Sequence, residues 1–598
     1  MRRRRFLEVL AGSAAAGLFR PLLPSAAGAT PTRRVRPGDP AWPDEDAWSA
    51  LGQQVHRRLA RVESPFGAGG VTPELLKQLE NPYFVGDKPW ATQSAGWAGA
   101  WTSSPSAYVV TARTAEDAAA AVSFAREHRL RLVVKGGGHS YQGTSNAPGS
   151  LLVWTRPMDR TVLHDAFLPR GCEGKVQPVP AVSVGAGALW LHTYDAVTSR
   201  GGRYVQGGGC ATVGVAGLVQ SGGFGSFSKR YGMAAASLLE ADVVTADGKI
   251  RTVNACTDAD LFWALKGGGG GTFGVVTRLT LRTHPLPETF GAVLLTLEAD
   301  SDDAYRALIE RFVAFYRSAL FNPHWGEQVS FGSRNRLGVR MLFEGLDRAE
   351  AEEIWRPFLA EAERAGSGVR IAADRAVVSF PARDFWNPEF LKSKMKDHVR
   401  SDPSPGAPAN NVWWASNQDE LGIFWHGYES TWMPESLLNE NRRKDLAAAL
   451  FAASRHWTVS LHFNKGLAGS PPEAIAAARD TATNPAVRRA FALAIIAGGA
   501  SPVYPGVPGH EPSETEAREE ARRIGLAMRE IRKLVPDPGS YVSESNYFEK
   551  GWQRVFWGDN YARLLRIKKK YDPTGLFFVH HGVGSEEWSP DGMTRLRS

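Results

Sequence analysis

Between residues 101 and 287, short apolar runs alternate with stretches of helical spacing. Tyr108-Val109-Val110 predicts a strand. Thr114 follows as a helix cap with Glu116 and Asp117 in the first turn, and a helix is predicted through Ala118 to His128. Arg131 to Val134 predicts the next strand, which empties into Lys135-Gly136-Gly137-Gly138-His139. The result is a strand–helix–strand unit closing on a glycine loop. Further strands are predicted at Leu151 to Trp154, Ala181 to Val184 and Leu239 to Thr245. Asp247-Gly248 marks a two-residue hairpin turn after the last of these. A third glycine cluster, Gly267 to Gly271, leads into a strand at Phe273 to Leu281, and His284-Pro285-Leu286-Pro287 breaks the pattern.

On either side the pattern changes. A helix is predicted from Asp46 to Arg61, and residues 62–100, rich in Gly, Pro and Trp, predict an irregular lead-in. From residue 288, alternating runs such as Gly291 to Glu298, Glu327 to Phe331 and Gly338 to Phe343 predict strands with one buried face. Helical patterns at Asp303 to Leu320 and Arg348 to Ala365 separate them, so this part is predicted to be α+β. The divisions expected are 1–29, 30–100, 101–287, 288–535 and 536–598.

The formal net charge is +8, and half of it sits in residues 1–29, which hold five Arg and one Glu. The remaining balance is too weak for a nucleic-acid binder. Beyond residue 29 no stretch is apolar for the length a membrane span needs. The start itself reads as an export signal: Arg3-Arg4-Arg5-Phe6-Leu7, an apolar run from Val9 to Phe19, and a small-residue exit at Ala27-Gly28-Ala29. Its R-R-x-F-L pattern resembles the twin-arginine type, which would place the protein in the periplasm or outside the cell. Three cysteines occur, at 172, 210 and 256. Either Cys172 and Cys256 pair or all three are free thiols.

Three glycine clusters, each placed at the end of a strand, suit a backbone wrapped closely around a ligand, with successive N–H groups forming an anion nest. No stretch fits G-x-x-x-x-G-K-S/T, and none fits G-x-G-x-x-G opening a helix near the start, so neither a P-loop nor a Rossmann site is expected. No cysteine pair has zinc spacing, and no metal is expected.

Four segments carry a family resemblance. They are Lys135-Gly136-Gly137-Gly138-His139-Ser140-Tyr141; Gln206 to Gly217 followed by Ser221-Gly222-Gly223-Phe224-Gly225; Asp260 to Lys266 with Gly267–Gly271 and Phe273 to Thr277; and Trp557 to Tyr561 with Lys568 to Pro573. Together they resemble the berberine-bridge-enzyme-like oxidoreductases of the vanillyl-alcohol-oxidase superfamily. The resemblance implies a two-part PCMH-type FAD-binding domain joined to an α+β substrate domain, whose antiparallel sheet is covered by helices. It implies FAD linked bicovalently, through its 8α methyl to His139 and its C6 carbon to Cys210. Around these it assigns cofactor contacts to Lys135, Gly136, Gly137, Gly138, Ser140, Tyr141, Gly207, Gly209, Thr212, Gly214, Gly217, Gly222, Gly225 and Val276. Ala211 stands where many relatives have Pro.

Such an enzyme takes a hydride from a small organic substrate and passes the electrons to dioxygen. A dehydrogenase with another acceptor is the alternative, and a flavin- or carbohydrate-binding protein without turnover is the third reading. Sugars, alcohols, alkaloids and polyketide-like metabolites are all open as substrates. Val213 occupies the place where a small side chain lets oxygen reach the flavin. The family's Y-x-N-Y-x-D motif corresponds to Tyr541 to Asn546, with Glu544 in place of the second Tyr and Asn546 in place of the Asp. The proton acceptor is then Glu544, Tyr541 or Tyr547. On a strand, Glu544 would face away from both tyrosines, and the family register favours its face. Trp413, Trp414, Trp425, His426, Tyr428, His462 and Lys465 are further pocket candidates. Lys568 to Lys570 predicts a solvated helix face. His580-His581, pointing oppositely on a strand, is assigned to packing or cofactor contact.

Overall fold

The computed structural model describes residues 33–66, 71–536 and 539–596, so the export signal lies outside the described residues. The first unit is a four-stranded sheet in the order Leu59–Arg61, Tyr108–Thr111, Leu151–Trp154, Leu132–Lys135. The last three run parallel, joined through the helix Ala115–Glu127. That helix starts where expected, with a reciprocal capping box between Thr114 and Asp117. The preceding helix is shorter than its periodicity suggests. It ends at Gln54, and His56 and Arg57 adopt positive φ. The chain then turns into Leu59–Arg61, which pairs with Tyr108–Val110, while Arg58 donates to both oxygens of Asp117 at 2.6 and 2.8 Å.

The second unit is an antiparallel sheet in the order Ile250–Asn254, Leu238–Val244, Val275–Pro285, Val179–Gly185, Thr161–Phe167. Its hairpin turn spans Thr245 to Gly248, beginning two residues earlier than Asp247-Gly248 alone, with the Gly248 N–H donating to Thr245 O at 2.9 Å. Cys172 and Cys256 form a disulfide beside this sheet, and Cys210 is free. The third glycine cluster does not end a strand: it follows the helix Ala259–Leu265.

A nine-stranded sheet forms the larger domain, in the order Val369–Pro381, Thr289–Ala299, Arg336–Glu344, Trp325–Gly332, Val459–His462, Ala490–Ala500, Ile423–Pro434, Ser94–Trp97, Trp101–Thr102. Helices Asp302–Phe315, Arg348–Ala362, Glu440–Ser454 and Glu514–Arg532 cover it, burying Phe312, Phe358, Leu450 and Met528 against Val329, Val339 and Leu461. The strand Ser94–Trp97 comes from the lead-in, which is therefore structured, and Trp101–Thr102 directly follows it. Ser94–Trp97 pairs in parallel with Ile423–Trp425.

The C-terminal segment returns to the first sheet through a bridge between Phe577 and Leu132. Lys568, expected in solvent, is buried on the helix Tyr561–Tyr571. Its ammonium donates to Thr272 O, Phe577 O and Asp572 Oδ2 at 2.6, 2.7 and 2.6 Å, whereas Lys569 and Lys570 stay exposed in ion pairs with Glu587 and Asp260. The charge run conceals one tertiary strut, because a single inward-facing lysine shares the composition of its solvated neighbours.

Candidate active site

The strand Leu132–Lys135 delivers a loop that lines a long cleft together with residues 213–221, 269–276, 541–544 and 578–582. Gly137 touches the second glycine loop so closely that a Cβ there would lie 2.8 Å from Thr212 O and 2.9 Å from the Gly214 amide. Among the described residues, no acceptor meets the backbone N–H groups of Gly136 to Tyr141. Such a row of free amides suits a pyrophosphate or a flavin edge. Among the described residues, Gln220 Oε1, Thr272 Oγ1 and His581 Nδ1 are buried along the same cleft without partners, and nothing lies within 4 Å of where a Gly217 side chain would begin. These features fit a dinucleotide cofactor such as FAD.

His139 lines the cleft with its Nε2 held by Thr212 Oγ1 at 3.1 Å, which leaves Nδ1 without a hydrogen-bond partner among the described residues. Burial pulls its pKa down to about 4, so the ring is neutral near pH 7. Cys210 opens on the same cleft, with Asn417 Nδ2 at 3.7 Å from its sulfur, and burial pushes the thiol pKa up. Lys135, Gly136, Gly138, Ser140, Tyr141, Val213, Gly214 and Val276 also line it. The Lys135 ammonium itself is spent on the carbonyls of Lys88, Pro89 and Ala91, at 3.1, 2.6 and 3.0 Å, pinning the lead-in beneath the loop. Gly207, Gly222 and Gly225 are buried and Gly209 is exposed, and none of the four lines the cleft. A Cβ on Gly207 would meet the Trp190 ring at 2.1 Å, and one on Gly225 would meet Gly207 O at 1.8 Å, so both are demanded by packing.

Residues 541–547 form consecutive turns, not a strand. The alternation argument therefore fails, and Tyr541, Val542, Ser543 and Glu544 face the cleft together. Glu544 is paired with Lys465, whose Nζ lies 2.7 and 2.5 Å from its two oxygens. Tyr547 lies behind, stacked at 3.7 Å on His580. His580 and His581 also depart from strand alternation: their rings stack at 3.9 Å and both line the cleft. Burial holds them neutral, with pKa values lowered to about 4 and about 3. No cluster of three or more His, Cys, Asp or Glu able to hold a metal occurs among the described residues.

Of the middle-domain candidates, Lys465 reaches the site. Trp425 and Tyr428 pack on the Tyr141 ring at 4.6 and 5.5 Å, and His462 is half-buried, its pKa lowered by desolvation and then by Lys465. His426 instead binds Glu520 at 2.7 Å on the helical side, and Trp413 and Trp414 sit on a separate two-stranded ribbon. One cleft residue carried no signal in sequence. Glu420, at the end of the turn Ala415–Glu420, accepts from Gln93 Nε2 at 2.9 Å and Tyr141 Oη at 3.2 Å. A lone acid beside Asp419 in a polar turn matches no motif.

Residues 105–254 match the FAD binding domain family, and residues 540–584 match the berberine and berberine-like family. The FAD-linked oxidoreductase easE of Trichophyton verrucosum is 30% identical over 93% of this chain and 91% of its own length. The VAO-type flavoprotein MtVAO615 of Myceliophthora thermophila C1 superposes with a TM-score of 0.74 at 27% identity, covering 93% of this chain and 98% of that one. A glucooligosaccharide oxidase from Acremonium strictum shares the fold, with a TM-score of 0.59 at 21% identity over 80% of this chain and 92% of that one. With relatives matched from end to end and a cleft shaped for a dinucleotide, the chain belongs to the FAD-linked oxidoreductases of the vanillyl-alcohol-oxidase type, in their berberine-bridge-like branch.

Proposed function

We propose that this chain is an exported oxidase that carries FAD bicovalently on His139 and Cys210 and hands substrate electrons to dioxygen. The observation that carries the reading is the arrangement around His139. Thr212 occupies Nε2, so Nδ1 is the nucleophilic nitrogen, and burial keeps the ring neutral and its lone pair available. Cys210 opens on the same cleft, in reach of a second position on the same ring system. The glucooligosaccharide oxidase with this fold is described as holding a 6-S-cysteinyl, 8α-N1-histidyl FAD. When bound, the flavin supplies hydride acceptance, and the protein's part is to position it and exclude competing reactions. Amides of the 136–141 loop hold the cofactor, and Val213 leaves space against it for oxygen. The substrate is a small alcohol, sugar or secondary metabolite.

Export by the twin-arginine route accords with Arg3-Arg4 and with a disulfide that suits an oxidising compartment. Two measurements test the central claim. Acid-denatured protein should stay yellow, with FAD mass on peptides containing His139 and Cys210, and His139→Ala should retain one link through Cys210. A peroxide-release screen across sugars, alcohols and aromatic metabolites should find a substrate. Complete release of flavin on acid precipitation refutes the covalent reading.

A further inference from the structure

Two carboxylates line the cleft, and their surroundings differ. Both oxygens of Glu544 are taken by one ammonium, Lys465 Nζ, at 2.7 and 2.5 Å. Glu420 is bonded through Oε2 alone, to Gln93 at 2.9 Å and Tyr141 at 3.2 Å. Its Oε1 has no partner among the described residues, and the side chain opens on the cleft. The turn that ends in Glu420 also sends Asn417 Nδ2 to Cys210 Sγ, at 3.7 Å. Tyr141 lies two residues after His139. One turn of the larger domain is thus tied to both loops that bear the proposed flavin links, and it presents a free carboxylate oxygen beside them.

We propose that Glu420, oriented by Tyr141 and Gln93, is the general base of the oxidation, and that Glu544 with Lys465 is a fixed ion pair shaping the cleft. This rests on the proposed oxidation of a substrate at this flavin. In the step, the substrate's O–H (or N–H) proton passes to Glu420 Oε1 as the C–H hydrogen leaves with its electron pair to the flavin. The carbon–heteroatom bond becomes double, the substrate loses two electrons, and the flavin gains them.

The geometry matches the task of each carboxylate. A base works best when its proton affinity lies near the working pH. Burial raises that of Glu420; the Tyr141 hydrogen bond opposes this, the Glu544 charge adds to it, Lys465 opposes it, and Asp419 adds a little. The other titratable groups facing this corner are Tyr428 and Cys210, both held protonated by burial. A proton arriving on Glu544 would instead have to break a contact ion pair whose lysine side chain is 11% exposed. Tyr141 and Gln93 are positioning residues: neither is offered as touching the substrate.

The test uses anaerobic stopped-flow bleaching of the holoenzyme's flavin by the substrate found in the peroxide screen. In the wild type, reduction should slow as pH falls through the Glu420 pKa. Glu420→Gln should slow it at least about 100-fold and abolish that limb, while the denatured variant stays yellow. Glu544→Gln should keep the limb. Tyr141→Phe removes a donor to the carboxylate anion, so the limb should move to higher pH without vanishing. A measurement independent of substrate is infrared titration of the resting holoenzyme. Burial also raises Glu327, Glu344 and Glu429, so several protonated-carboxyl bands should titrate above the ordinary glutamate range; the one assigned to Glu420 should be missing from the difference spectrum of Glu420→Gln and shift in Tyr141→Phe. The proposal is overturned if Glu420→Gln reduces within about threefold of wild type, if Glu544→Gln abolishes the limb, or if Glu420→Gln removes none of the raised carboxyl bands. Should no compound reduce the wild type, the oxidation reading fails by itself, and the band lost in Glu420→Gln still decides whether Glu420 is a raised carboxyl.

Discussion

Lys229 offers a sharp test of how the two domains are held together. It sits on the short flavin-domain helix Ser228–Tyr231 with no exposed surface, and its ammonium donates to Gly466 O, Ala468 O and Phe491 O of the larger domain at 3.0, 2.6 and 3.0 Å. Burial lowers its pKa from 10.5 to about 7. Between those two values the unfolded chain holds a proton that the folded chain has released, so raising the pH through this window stabilises the fold. From pH 7 to pH 9 the gain from this one group is about 2 kcal/mol. Lys229→Met keeps the bulk of the side chain but strips the carbonyls of their donors, a loss of about 2–4 kcal/mol. The variant should therefore be less stable at both pH values, and the gap should widen by about 2 kcal/mol from pH 7 to pH 9. Urea midpoints followed by tryptophan fluorescence, compared between wild type and variant at each pH, measure that difference. Contributions from other buried groups such as Lys135 cancel in it. A gap that stays constant with pH would mean that the Lys229 ammonium is not desolvated, and the interdomain strut would have to be given up.

Three further outcomes follow from other parts of the molecule. Val213→Leu should slow reoxidation of the reduced enzyme by oxygen by orders of magnitude while leaving flavin reduction nearly unchanged, since one methylene fills a gap the size of dioxygen; sluggish wild-type reoxidation in stopped flow would favour a dehydrogenase. Replacing Cys172 and Cys256 by Ser opens a loop closed over a separation of 84 residues, and should lower the unfolding free energy by about 4 kcal/mol in urea titrations; an unchanged midpoint would show the bridge to be dispensable. Changing Arg3 and Arg4 to Lys should leave the precursor in the cytoplasm on fractionation, and normal export of that double variant would exclude the twin-arginine route.

The parts of this fold legible in the sequence are those specified by neighbours in the chain. Thr114 and Asp117 cap the helix between them because the capping box is closed within four residues. Lys135 to Tyr141 announces a backbone cradle because glycine is needed where the loop meets Gly214. What stayed hidden is specified across long separations. Ser94–Trp97 lacks strand periodicity, yet it becomes a strand because Ile423–Trp425 offers it an open edge. Residues 541–547 read as a strand in the sequence but run as turns: the Glu544 N–H donates back to Tyr541 O at 3.0 Å, and the hydroxyl of Ser430, from a distant strand, donates to the Glu544 carbonyl. The same distinction runs through the chemistry. His139 and Cys210 stand in glycine-rich frames that can be recognised residue by residue. The carboxylates and the lysine acquire their roles only when the lead-in, the larger domain and the C-terminal turns converge. Gln93, Tyr141 and Glu420 come from three distant segments, and Lys465 meets Glu544 across 79 residues. The groups that face the proposed substrate therefore come from segments far apart in the chain, whereas those proposed to hold the cofactor come from two contiguous glycine-rich loops.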